Sequence, residues 1–65
     1  MSLPETIEEI DNAITVAELA ILLHLSRTAL YDMARRGAIP HFRIGGSLRF
    51  DPQAIAAWLR SRTIK

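Results

Sequence analysis

Apolar positions in this chain recur at helical spacing from residue 16, alternate around residue 45, and return to helical spacing after residue 52. Val16, Leu19, Ala20 and Leu23 fall on one face of a first amphipathic helix. Its start is written in Thr15-Val16-Ala17-Glu18, a capping box: the Thr15 hydroxyl takes the Glu18 amide, and Glu18 reaches back to the Thr15 amide. Ile21 points almost opposite to the apolar face. His24-Leu25-Ser26 reads as a turn, with Leu25 as an apolar plug between two helices and Ser26 as the next N-cap. A second helix is predicted over residues 27–36, with Leu30, Met33 and Ala34 inward and Thr28, Tyr31, Asp32 and Arg35 outward. Gly37 then closes it in the left-handed conformation.

After Ile39-Pro40 the period changes to two. His41-Phe42-Arg43-Ile44 and Leu48-Arg49-Phe50 flank Gly45-Gly46-Ser47, which reads as a hairpin with a three-residue loop. That loop pairs Ile44 with Leu48, Arg43 with Arg49 and Phe42 with Phe50, so both arginines share the solvent face. Two adjacent like charges repel, and a phosphate between them reverses the sign. Asp51-Pro52 opens a last helix as N-cap and first-turn proline. Ile55, Trp58 and Leu59 form its inward stripe, with Trp58 expected as the largest piece of the core, and Arg60, Arg62 and Lys65 as a loose basic tail. Ahead of all this, Pro4 to Ile10 can form a short helix carrying Ile7 and Ile10 on one side. Either it docks by those isoleucines, on its own domain or a neighbour, or it frays as terminal segments do.

The parts make one domain: an acidic extension at residues 1–13, a winged helix-turn-helix at 14–60, and a basic tail at 61–65. The fold class is mainly α with a small two-stranded antiparallel ribbon. At 65 residues and without cysteine, the core must hold the fold without disulfides or zinc thiolates. No apolar run is long enough for a membrane span and no signal-peptide pattern is present, so a cytoplasmic protein is expected. The net charge of +1 hides an asymmetry: all eight basic residues lie beyond residue 26, against only Glu18, Asp32 and Asp51 after residue 13. Eight less three leaves +5 on residues 14–65. Seven of the eight are arginines, suited to phosphate and guanine contacts. His24 and His41 have no further metal-ligand cluster or nucleophile at useful spacing, so neither a metal, a cofactor nor a catalytic residue is expected.

The chain resembles the excisionase-type DNA-binding domains, small winged helix-turn-helix proteins related to the DNA-binding part of mercury-resistance-type (MerR-like) regulators. The resemblance is carried by Thr15-Val16-Ala17-Glu18-Leu19-Ala20, Leu25-Ser26-Arg27, Leu30-Tyr31, Arg35 with Gly37, and Ile39-Pro40. It continues through Phe42-Arg43-Ile44-Gly45, Leu48-Arg49-Phe50 and the Ile55, Trp58, Leu59 stripe. It implies a second helix in the major groove and a wing on the backbone or minor groove. Members of this family excise prophages, regulate transcription or help package DNA. The chain departs from the pattern at His24, where glycine is usual, and at Asp32, where a basic or polar residue is usual. Asp32 can accept from a cytosine amino group or pair with Arg35 or Arg36 along the helix; the second is the expectation.

A sequence-specific double-stranded DNA-binding protein, not an enzyme, is therefore expected. Arg27, Arg35, Arg43 and Arg49 are assigned to the backbone, and Thr28 and Tyr31 to base edges. So small a domain covers part of an operator, which implies copies side by side or a dimer. An integrase or another recombination protein is a further expected partner; a membrane or a small-molecule effector is not. The alternative is a winged helix serving as a protein-interaction module, which the acidic start favours. Basic residues gathered along the second helix and the ribbon speak for DNA, and scattered ones for the alternative.

Overall fold

A computed structural model describes residues 2–62. In chain order it comprises α1 (Leu3–Glu8), β1 (Ile14–Thr15), α2 (Val16–Leu23), α3 (Arg27–Arg35), β2 (Phe42–Ile44), β3 (Ser47–Phe50) and α4 (Pro52–Ser61). The strands form one antiparallel sheet in the order β1-β3-β2. Helix, turn, helix, hairpin, helix is the winged helix-turn-helix order. Lys65 and its place in a basic tail lie outside the described residues.

Local chemistry sets the helix starts. Thr15 Oγ1 accepts from the Glu18 amide at 3.1 Å, and Glu18 Oε1 accepts from the Thr15 amide at 2.9 Å. Ser26 Oγ accepts from the Ala29 amide at 3.0 Å to start α3, and Asp51 Oδ2 from the Ala54 amide at 3.2 Å to start α4. The two helix ends inside the motif share one closure. After α3, the Ala38 amide donates to Met33 O at 2.8 Å and the Gly37 amide to Ala34 O at 3.0 Å. After α2, the Leu25 amide donates to Ala20 O at 3.0 Å and the His24 amide to Ile21 O at 3.4 Å. Both are Schellman closures with a left-handed residue, Gly37 at φ 70° and His24 at φ 55°.

The core gathers Ile7, Ile14, Leu19, Leu30, Phe50 and Ile55, all sealed from solvent. Three expectations need correction. Leu25 is no plug: it is exposed, and Leu19, Ala20, Leu30 and Ala34 supply the apolar contact from the helices themselves. Trp58 is only half-buried, because its indole N–H needs a polar partner and finds Ala38 O at 3.2 Å at the rim. Arg62 lies over its outer face, 4.8 Å from the ring centroid, and Phe50 is the largest fully buried side chain instead. Arg60 is not loose tail: it sits in α4 and grips Glu8 of α1 at 2.7 and 3.0 Å.

The wing register also differs from expectation. Phe42 pairs with Arg49, Arg43 with Leu48 and Ile44 with Ser47, around a two-residue Gly45-Gly46 turn. Gly45 at φ 61° supplies the positive φ that the first position of a primed hairpin turn requires. A one-residue shift reverses every face. Arg43 therefore shares a face with Leu48, and Arg49 shares the other with Phe42. The expected repulsion between the two arginines does not arise. β2 is an exposed edge strand, while β3 is covered on its other edge by β1. At the start of the chain, α1 docks on α4 of its own domain with Ile7 fully buried, and Gln53 Nε2 donates to Glu8 O at 2.9 Å.

Candidate nucleic-acid interface

Two adjoining grooves run along the outward face of α3. The first, of about 680 Å³, has Ser26, Thr28, Ala29, Tyr31, Asp32 and Arg35 on one wall and Arg43 of the wing on the other. The second, of about 460 Å³, is bounded by Thr15, Val16 and Ala17 at the start of α2, Arg27 and Tyr31 of α3, and residues 46–49 of the wing. Tyr31, half-exposed, lines both. The six residues expected at the site thus divide between the grooves: Thr28, Tyr31, Arg35 and Arg43 in one, Arg27, Tyr31 and Arg49 in the other. Arg43 and Arg49 are not brought side by side.

The arginines differ in their freedom. Among the described residues, Arg27 and Arg43 make no side-chain hydrogen bond or ion pair. Arg49 is half-buried and its Nη1 donates to Leu48 O at 2.8 Å. Arg35 Nη2 donates to Asp32 Oδ1, and Arg36 Nε to Asp32 Oδ2 at 2.9 Å, so the intrahelical pairing expected of Asp32 takes both neighbours at once. Those hydrogen bonds, Arg35 first and then Arg36, hold the Asp32 carboxyl below the usual aspartate range. Glu18 is likewise held low, mainly by its hydrogen bond from the Thr15 amide, with a small contribution from Arg49. Arg60 of α4 and Arg62 just after it stand apart, engaged with Glu8 and Trp58.

Sequence reasoning missed the contribution of Thr15 to Ala17, Ser26, Gly46 and Ser47 to the groove walls. Helix-cap signals explained Thr15 and Ser26 completely, so nothing drew attention to their second position. A two-residue reading of Gly45-Gly46 was the signal that moves Ser47 onto the strand. Among the described residues, no group of three or more His, Cys, Asp or Glu is arranged to hold a metal ion. His41 Nδ1 donates to Ile39 O at 2.9 Å. No helix among the described residues is long and apolar enough to cross a membrane.

Residues 13–63 match a protein family described as a helix-turn-helix domain. No curated protein and no solved structure matches the chain.

Proposed function

The chain belongs to this helix-turn-helix domain family, and from that premise we propose that it is a sequence-specific double-stranded DNA-binding protein of the excisionase or small-regulator kind. The observation that carries the reading is the gathering of Arg27, Arg35, Arg43 and Arg49 around the outward face of α3. The helix-turn-helix places such a face in the major groove. Thr28 and Tyr31, between the arginines, read base edges, while Arg27 and Arg43 hold phosphates on either side. Arg35 and Arg49 assist once released from their present partners.

The protein acts by occupying short sites, in several copies side by side or as a dimer, and by presenting its outer surface to a recombinase or polymerase. It does so in the cytoplasm and without chemistry of its own. The separation of Arg60 and Arg62 from the grooves, each with a local partner, supports DNA over a general protein-interaction module.

The test is selection of bound sites from random duplexes. Wild type should enrich a defined sequence, and Thr28→Ala and Tyr31→Phe should each change preference at one base pair by about 1–3 kcal/mol. Identical preferences for all three proteins remove α3 as the reader. Failure of wild type to retain any duplex at low salt removes the function.

A further inference from the structure

Asp32 stands where phosphate is expected. Among the described residues it is the sole acid lining the groove between α3 and β2, beside Thr28, Tyr31, Arg35 and Arg43. Its pairs with Arg35 and Arg36 stabilise the helix only slightly. Glu5, Glu18 and Asp51 each serve a helix N-terminus, where negative charge is favoured. Asp32 instead lies in the C-terminal half of α3, where the helix dipole disfavours an anion. That end is already closed by Gly37 and the paired amide bonds after it. What the carboxylate does is occupy Arg35 and Arg36 together, with one oxygen for each.

Resting on the DNA-binding reading above, we propose that Asp32 is a built-in competitor for phosphate that weakens sequence-independent binding and so sets specificity. Binding to random DNA is driven by neutralised phosphates alone. There the carboxylate subtracts its full charge, leaving two arginines worth one. On a correct site, base contacts by the outward face of α3 offset the cost. The two-partner geometry eases that exchange: Arg35 can turn to the duplex while Arg36 keeps the carboxylate paired. The low protonation range of Asp32 means the competitor stays charged across neutral pH.

The experiment compares wild type and Asp32→Asn on a random-sequence duplex and on the site selected by wild type, across a salt series. Asp32→Ala runs in parallel because alanine is the best helix former; a thermal melt by circular dichroism checks both variants. Freed of the carboxylate, the arginines should add one phosphate contact on random DNA. That steepens the salt slope by about 0.9 and tightens binding roughly eightfold at 0.1 M salt. The selected site should tighten less, so the ratio between the two narrows. A purely structural staple would leave the salt slope unmoved, and an unchanged slope and affinity on random DNA overturns the proposal. Equal tightening on both duplexes also overturns it, making Asp32 a general brake. Loss of affinity confined to the selected site does so as well, making it a base reader. Failure of wild type itself to bind any duplex overturns the DNA reading and this inference with it.

Discussion

His24 and Gly37 hold equivalent places in two successive helix closures, and only Gly37 suits the conformation by its covalent structure. A left-handed φ puts Cβ of an ordinary residue against the following carbonyl at about 1–2 kcal/mol, a cost glycine avoids. Glycine in turn loses more freedom on folding, about 0.5–1 kcal/mol. The imidazole of His24 is exposed and makes no hydrogen bond among the described residues that offsets the difference. His24→Gly should therefore stabilise the domain by roughly 0.5–1 kcal/mol, a rise of several degrees in Tm for a chain of this length. A lower Tm in a calorimetric scan would show that the side chain contributes a contact worth more than the strain. The residue at this turn thus has room to change without touching either groove.

The wing shows what an element adds beyond its residues. Arg43 and Arg49 look alike in sequence, yet the register sends them to opposite faces and to different grooves. Arg43→Ala should cost more affinity for any duplex than Arg49→Ala, with a fall of about 0.9 in the salt slope, because only Arg43 is unencumbered. Equal losses in a salt titration would mean that Arg49 leaves Leu48 O freely. The contact between α1 and α4 gives a second element-scale test. The Arg60 guanidinium hydrogen-bonds Glu8 and holds its carboxyl below the ordinary glutamate range. A lowered folded pKa gives stability that is complete above the unfolded value, about 4.3, and is lost as pH falls through the lower folded one. Melts between pH 5 and roughly 2.5 should show Glu8→Gln losing less stability on acidification than wild type; parallel acid limbs exclude the pair as a contributor. Elements with strong local chemistry were legible in sequence: the Thr15 capping box, the Ser26 and Asp51 caps and the Gly37 closure. The short β1 and the wing register were not. They are decided by which edge of β3 is covered, a fact of tertiary packing. The same limit applies to the grooves, whose α3 wall followed from helical spacing while their wing wall depended on the register.

At the scale of the molecule, the arginine-lined grooves and the docked start of the chain occupy different elements. The arginine-lined grooves lie between α3 and the wing, and α1, with Glu5 and Glu8, lies on α4 and contributes no residue to either groove. The isoleucine spacing of the start of the chain made a docked helix conceivable, but its receiving surface on α4 is assembled only by folding. That docking completes the core of a domain with little to spare. Ile7 is sealed beside Ile14, Phe50 and Ile55 in one cluster, so the first element of the chain belongs to the same hydrophobic core as the last. Truncating a buried isoleucine costs about 2–5 kcal/mol, and a domain of this size rarely holds more than about 3–5 kcal/mol in total. Ile7→Ala should thus lower the melting temperature sharply, and deletion of residues 1–13 should abolish a cooperative transition at room temperature. The duplex selected by the wild-type protein, if it binds the grooves as proposed, should partly rescue Ile7→Ala in the same melt, since a ligand that prefers the folded state stabilises it. The salt slope of the rescued protein should equal that of wild type, because no phosphate contact has been removed. A truncated chain that melts like the full one would show that α4 is stable with its α1-facing side bare, and that the acidic segment serves some purpose other than holding the fold.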